Sequence, residues 1–176
     1  MKPIRLVTVG SVEPRMLDAA RRALSIELGT SCIAVPRELD PAFAFHSERS
    51  QYHSTEILEQ IARTASDAEI CVGITGVDLY IPILTFVFGE AQLGGSCAVV
   101  SYHRLLQQFY GLPPDDELAV ERLEKEAVHE TGHVLGLTHC DDYACVMAAS
   151  HSVEWLDIKG TALCEECRGK VEIVSS

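Results

Sequence analysis

The chain has 176 residues, which is long enough for one domain with a substantial core and short for two. Hydrophobic residues make up 47% of it and charged residues 23%, as in an ordinary globular protein, and no apolar run approaches the roughly 20 residues of a membrane span. The formal net charge of −12 argues against binding to a nucleic-acid backbone, which selects basic surfaces. Because the N-terminal apolar run is also too short for a signal-peptide core, we expect a cytoplasmic protein with no membrane or nucleic-acid partner.

The N-terminal part of the chain alternates strand and helix patterns. The run PIRLVTVG is rich in β-branched residues and predicts a strand, and EPRMLDAARRALSIEL carries apolar residues at helical spacing. SCIAVP predicts a second short strand, closed by Pro36. A strand, a helix and a strand in this order predict a parallel pair joined by a right-handed crossover.

The middle of the chain predicts a loop, a helix and further strands. Residues 36–53 have no clean period and contain prolines, which indicates a long surface loop. STEILEQIARTAS has a helical pattern with Ser54 or Thr55 as its N-cap, and EICVGIT predicts a third strand. LTFVFGEA and SCAVVSYHRL, separated by QLGG, predict an antiparallel hairpin.

A long helix is predicted next, followed by a C-terminal segment of a different kind. Prolines and acidic residues, which suit a helix N-terminus, precede the helical pattern of ELAVERLEKEAVHETGHVLGL. The segment after it has short turns, several cysteines and little periodicity. Cys32, Cys71 and Cys97 lie singly in apolar runs elsewhere, and we expect them to be small buried side chains on strands.

The stretch HETGHVLGLTHC, residues 129–140, contains the residue types of a metal site. On a helix, His129 and His133 stand one turn apart on the same face, and Glu130 lies about 100° round from His129. In this H-E-x-x-H arrangement two imidazoles bind zinc and the carboxylate lies beside the zinc-bound water. The alternative is a helix with two incidental, solvent-facing histidines. The apolar residues cluster on the other side of the helix, so these are not ordinary core histidines.

Gly136 and His139 favour the metal site over coincidence. A glycine three residues after His133 can take the left-handed conformation that ends a helix, so the chain can turn and bring His139 to the same metal ion. Zinc held by three histidines keeps a fourth position for water, lowers the pKa of that water towards ~7 and polarises a carbonyl group. Glu130 could take the proton of the water and pass it to the leaving amine.

The run HETGHVLGLTH matches the metzincin signature H-E-x-x-H-x-x-G-x-x-H at every fixed position, and it resembles that clan of zinc peptidases. The resemblance implies that His129, His133 and His139 bind the catalytic zinc and that Glu130 is the general base. Metzincins also have a methionine in a tight turn beneath the metal, and the position of Met147 after the third histidine fits that role. A plain core side chain is the alternative for Met147.

Four cysteines of the C-terminal segment form two pairs, Cys140 with Cys145 and Cys164 with Cys167. Each pair can hold one edge of a zinc tetrahedron, which predicts a closed structural zinc site. A disulfide or free thiols are the alternatives, but neither explains why the pairs lie in the region without a periodic core. Because His139 directly precedes Cys140, we hypothesise that the structural zinc anchors the loop that positions the third histidine.

Metzincin ligands followed by C-x4-C-x-M and later by C-x-x-C resemble the archaemetzincin family. The resemblance implies a zinc metallopeptidase that acts on peptides or proteins, with one catalytic and one structural zinc ion. It implies an α/β (α+β) metzincin-like fold: a mixed sheet of about five strands with an antiparallel edge strand, backing helices, a long zinc-ligand helix and a small zinc-stapled C-terminal subdomain. We expect a single metalloprotease domain, residues 1–176, with subdomains 1–136 and 137–176.

The resemblance also implies where a peptide binds. LTFVFGEA, residues 84–91, is the expected edge strand that pairs with the substrate backbone, and residues 148–155 should form the wall of the S1′ pocket. The main alternative is a non-catalytic zinc protein that binds peptides or a partner chain, and a third is a zinc-ribbon interaction module. The intact Glu130 favours the enzyme. The sequence leaves open aminopeptidase or endopeptidase action and the oligomeric state, with a monomer favoured.

Overall fold

The computed structural model describes residues 1–175, and it describes the side chains at all of these positions except 36, 37 and 172–175. The strands are β1 (Ile4–Val9), β2 (Cys32–Leu39), β3 (Phe45–His46), β4 (Gln51–His53), β5 (Ile70–Thr75), β6 (Leu79–Tyr80), β7 (Gly89–Ala91) and β8 (Cys97–Ser101). The α-helices are α1 (Pro14–Leu28), α2 (Ser54–Ala62), α3 (Asp116–Val134), α4 (Val153–Ile158) and α5 (Glu165–Ser175). None of these helices is long and apolar enough to cross a membrane.

Five strands form the main sheet, in the order β2-β1-β5-β8-β7. The first four run parallel, and β7 pairs antiparallel with β8 at one edge. Every residue of β5 and β8 is buried, as parallel strands covered on both faces require. Helices α1 and α3 cover one face and α2 the other, which divides the core into two clusters. The predicted mixed sheet with an antiparallel edge strand is confirmed.

Several predictions for the N-terminal part are confirmed. The predicted strand, helix and strand correspond to β1, α1 and β2, and the two strands pair in parallel. Helix α1 begins at Pro14, whose fixed φ suits a first helical position. Cys32, Cys71 and Cys97 are buried on β2, β5 and β8, as small apolar side chains would be.

Residues 36–53, predicted as a surface loop, contain regular structure, so that prediction is wrong. Strand β2 does not end at Pro36 but continues to Leu39. It is an edge strand whose register against β1 shifts between Leu6 and Thr8, and a proline without an N–H is tolerated at such an edge. A single-turn helix at Pro41–Ala44 and the short strands β3 and β4 follow, and β6 joins them in a second sheet.

The predicted N-cap of the second helix is also wrong. Helix α2 begins at Ser54, with His53 at the N-cap position and no side-chain hydrogen bond there. The hydroxyls of Ser54 and Thr55 donate instead to the carboxylate of Glu90 on β7. The two hydroxyls therefore join α2 to the edge strand.

The C-terminal segment, predicted to lack periodicity, contains α4 and α5. Polar contacts hold these helices: the guanidinium of Arg122 on α3 donates two hydrogen bonds, of 2.7 and 2.6 Å, to Asp157 at the end of α4. The N–H of Leu163 donates to Glu27 of α1 at 2.7 Å, and Arg168 of α5 also contacts Glu27. Helices this short, held through side chains of distant elements, leave only a weak period in the sequence.

Helix α3 carries the motif histidines. Its N-cap is Asp115, whose carboxylate accepts a hydrogen bond of 3.0 Å from the N–H of Leu118. Asp116 and Glu117 follow in the first turn, where acidic side chains interact favourably with the helix dipole. The helix begins at Asp116, within the acidic run that the sequence places before the helical pattern.

We predict that Asp115→Ala destabilises the protein by about 1 kcal/mol, because the first turn of α3 loses its capping acceptor. Urea unfolding of the zinc-loaded protein measures the change. Glu117→Ala, which removes an acid from the same turn without removing a cap, is the control and should cost less. Equal losses in the two variants would contradict the capping role.

Candidate metal centre and cleft

The three motif histidines converge. His129 and His133 lie one turn apart on α3, with their Nε2 atoms 3.1 Å apart. The helix ends at Val134, and Gly136 takes the predicted left-handed conformation with φ 89°, so the chain turns and brings in His139. One ring nitrogen of each histidine lies within 4.8 Å of the others.

Backbone carbonyls orient two of these rings. His129 Nδ1 lies 2.8 Å from the carbonyl oxygen of Val146, and His133 Nδ1 lies 2.7 Å from that of Leu137. A carbonyl only accepts, so Nδ1 carries the proton in both rings and each neutral Nε2 carries a lone pair. Two nitrogens at ~2.0–2.1 Å from one tetrahedral zinc ion are about 3.3 Å apart. The donor set and its spacing fit zinc.

The surroundings of the histidines favour the neutral imidazoles that metals bind. Burial holds the pKa of His129 well below its usual value, and the Lys159 ammonium lowers it further. Burial also lowers the pKa of His139, with His133 as the second cause. Metal binding at neutral pH therefore does not have to displace protons from these two rings.

The histidines face a cleft with a volume of about 410 Å³. Residues 84–89 and residues 149–151 both contribute to its lining, beside the motif residues. Both segments overlap the ranges that the family resemblance predicts for substrate contact. The expected strand at residues 84–91 is shorter than predicted, because only Gly89–Ala91 pairs with the main sheet.

Glu130 lines the same cleft beside the histidines. It is only 7% exposed, and burial raises the pKa of its carboxyl well above the usual value, with Glu126 as the second cause. His129 is buried too, and the carbonyl oxygen of Val146, in the segment after Gly136, contacts its ring. A buried carboxylate has a high proton affinity, which suits a group that must take a proton.

The four C-terminal cysteines form a second cluster. The sulfur atoms of Cys140, Cys145, Cys164 and Cys167 lie within 4.8 Å of one another, and those of Cys140 and Cys164 are 3.8 Å apart. Two thiolates at ~2.3 Å from one tetrahedral zinc ion are about 3.8 Å apart. No disulfide joins the four cysteines. Their spacing fits a closed zinc site.

Met147 lies between the two clusters. Its side chain is fully buried against α3 at Gly132, where any side chain would clash with the Met147 sulfur. Its N–H donates to Cys145 Sγ at 3.4 Å, and its carbonyl accepts from the N–H of Cys140 at 3.0 Å. The turn beneath the histidines is thus hydrogen-bonded to the cysteine cluster on both sides of Met147.

A buried ion pair lies against the first histidine. Lys159 Nζ is 3.3 Å from Glu126 Oε1 and 3.2 Å from the carbonyl oxygen of Ala148, and both charged side chains are at most 4% exposed. The same ammonium is 3.4 Å from His129 Nδ1. Burial raises the pKa of Glu126 although Lys159 opposes the shift. Lys159 therefore joins the segment after Met147 to α3.

Sequence reasoning missed Gly89, Gly132 and the pair of Lys159 with Glu126. A glycine inside a helix or strand costs up to ~1 kcal/mol of stability relative to alanine. Gly132 and Gly89 could therefore have been recognised in the sequence as positions of close packing. No local signal pairs Lys159 with Glu126, because they are 33 residues apart.

The comparisons with known proteins agree on one family. The model of Peptidase family M54 matches residues 38–173. Archaemetzincins of Methanocaldococcus jannaschii and Thermococcus kodakarensis are 40% and 43% identical to the chain, over 93% and 97% of its length and 89% and 96% of their own. The chain belongs to the archaemetzincins.

Solved structures agree with this membership. Crystal structures of archaemetzincins from Methanopyrus kandleri and, complexed with malonate, Archaeoglobus fulgidus superimpose with TM-scores of 0.86 and 0.81 at 33% and 38% identity. The match to the first structure covers 99% of this chain and 95% of the other, and the match to the second covers 95% of this chain and 99% of the other. The predicted family, fold class and enzyme class are confirmed: the chain is a zinc metallopeptidase. The roles of individual residues stay predictions.

We predict that Lys159→Met destabilises the protein by about 3–5 kcal/mol, because it leaves Glu126 buried without its partner charge. The loss should grow as pH rises above the usual pKa of a glutamate, since the unfolded chain then releases a proton that the buried, unpaired carboxyl retains in the folded protein.

Urea unfolding at several pH values measures this loss. Lys159→Met combined with Glu126→Gln should recover part of the stability, because no unpaired charge remains. Lys170→Met, which removes an exposed partner of Glu166, is the control and should cost at most ~1 kcal/mol. An equally small loss for Lys159→Met would contradict the buried-pair interpretation.

Proposed function

We propose that this archaemetzincin hydrolyses peptide bonds with Glu130 as general base and with its catalytic zinc held by His129, His133 and His139. The observation that carries the proposal is the convergence of three imidazoles beside a buried carboxylate in one cleft. Zinc bound there would lower the pKa of the attacking water towards ~7 and polarise the substrate carbonyl.

The protein's own groups orient the reaction. The carbonyls of Leu137 and Val146 hold two ligand rings with Nδ1 protonated, which directs Nε2 to the metal position. Glu130 accepts the proton of the attacking water and delivers it to the leaving amine. Its high proton affinity in the buried cleft supports this role.

Strand β7 supports a mode of substrate binding. Among residues 1–175, β7 pairs only with β8, so its outer edge can accept the backbone of an extended peptide, whereas Val87 before it is bridged to Leu79 of β6. We propose that residues 84–91 bind the substrate backbone in this way and that residues 148–155 form the S1′ wall. The presence of residues 149–151 in the lining of the cleft supports the second assignment.

We further propose a second, structural zinc held by Cys140, Cys145, Cys164 and Cys167, which gives two zinc ions per chain. This zinc would stabilise the C-terminal subdomain, residues 137–176, on an N-terminal subdomain of residues 1–136. The hydrogen bonds of Met147 to the cysteine cluster support a mechanical coupling of the two sites.

We infer a cytoplasmic location from the clustered thiols, because metal-binding cysteines are typical of reducing compartments. The net charge of −12 argues against nucleic acid as a partner. The absence of a membrane partner and a monomeric state stay predictions.

We predict that Glu130→Gln lowers kcat/KM on a peptide substrate by about 10²- to 10⁴-fold, because the amide cannot accept a proton from water. The zinc content, measured by mass spectrometry, should not change. Glu117→Gln, an exposed position on the same helix, is the control and should keep full activity. Peptide binding without turnover in the wild type would favour the non-catalytic alternative.

We predict two zinc ions per chain in the protein purified without added metal, with one lost in His133→Ala and one in Cys164→Ser. Mass spectrometry counts them. Cys32→Ala removes a buried thiol outside the cluster and should keep both. Because Met147 links the clusters, Cys164→Ser should also weaken zinc binding at the histidines. Unchanged affinity and activity in Cys164→Ser would rule out the coupling.

A further inference from the structure

Gly89, the first residue of β7, lies where the edge strand meets Glu130. A Cβ atom built on Gly89 would lie 2.6 Å from Glu130 Cγ and 3.0 Å from Glu130 Cδ. Ordinary van der Waals contacts of a Cβ atom begin at 3.4 Å. Any side chain at position 89 would therefore have to displace either the strand or the glutamate.

The backbone conformation does not explain this glycine. The left-handed glycines of residues 1–175 lie elsewhere in the chain, so the backbone of Gly89 is one that residues with side chains can adopt. Only the space available at this position requires glycine, and Glu130 and the carbonyl oxygen of Val99 fill that space.

Neither neighbour can move easily. Glu130 is almost fully buried on the long helix α3. Gly89 is opposite Val100 in the β7–β8 ladder, and its added Cβ would also lie 2.8 Å from the carbonyl oxygen of Val99. The next residue, Glu90, is held by two hydroxyls of α2. A side chain at position 89 would force Glu130 out of its rotamer or bend the strand.

We propose that Gly89 is a positioning residue, whose missing side chain lets the carboxylate of Glu130 lie directly against the strand that binds the substrate backbone. The proposal rests on the function proposed above for Glu130 and residues 84–91. Gly89 lines the same cleft, so it sets the separation between the base and the bound peptide. A misplacement of ~1 Å can lower an enzymatic rate about 100-fold.

Gly89→Ala tests this role in the zinc-loaded enzyme. We expect kcat to fall about 10- to 100-fold with a smaller change in KM, because the base is displaced while the rest of the cleft remains. The zinc content should not change, since the ligands are untouched. Gly169→Ala, at a glycine with open space around it, is the matched control and should keep full activity. An unchanged kcat in Gly89→Ala would overturn the proposal.

A double-mutant cycle separates the contact with Glu130 from a general disturbance of the strand. Gly89→Ala should lower the urea midpoint of the wild type more than that of Glu130→Ala, which lacks the Cγ and Cδ atoms that the new side chain meets. The contact of the new side chain with Val99 is the same in both backgrounds, so its effect on stability cancels when the two decreases are compared. Equal decreases would count against the proposal.

The two proposals fail separately. A fully active Glu130→Gln enzyme would overturn the proposed function, whereas an inactive Glu130→Gln beside a fully active Gly89→Ala would overturn only the role of Gly89.

A crystal structure of zinc-loaded Gly89→Ala tests the proposal without a measurement of turnover. We expect a displaced Glu130 carboxylate or a shifted β7, and unchanged positions of both would overturn the proposal.

Discussion

Two hydrogen bonds hold the geometry on which the proposed metal centre depends, from His129 Nδ1 to Val146 and from His133 Nδ1 to Leu137. Both acceptors belong to the segment that follows α3. The rings are thus carried by the helix but oriented by a part of the chain outside it. Without these acceptors the imidazoles could rotate to other rotamers and their Nε2 atoms would not converge. The fold therefore has to keep this segment at hydrogen-bond distance from the helix.

Apolar and polar contacts together supply that constraint, since Val146, Met147 and Leu156 of the C-terminal segment are buried in the larger core cluster. The turn at Met147 is bonded to the cysteine cluster, and Lys159 links Glu126 of α3 to Ala148. A buried ion pair adds little net stability over an apolar pair of similar volume, but only a narrow range of positions satisfies both charges. The pair therefore restricts how the segment can lie on α3. In the same cleft, Gly89 of the edge strand leaves room for the carboxylate of Glu130.

The convergence of the three histidines could be predicted from the sequence because the signals for it are local. His129 and His133 are placed by one helical turn, and Gly136 marks the end of the helix without reference to any other element. The small second sheet could not be predicted, since strands of two or three residues show no period. The continuation of β2 beyond Pro36 depends on its position at the edge of the sheet, which is a property of the folded protein. Each miss thus lies where tertiary contacts override a local signal.

His139 and Cys140 are consecutive residues that belong to different clusters, so the two candidate ligand sets meet across a single peptide unit, with about 3.8 Å between the Cα atoms of these two residues. An inserted residue would move one set of ligands relative to the other by a distance larger than a metal–ligand bond. Surface loops in general accept insertions and deletions, whereas this loop has no freedom in length between His139 and Cys140.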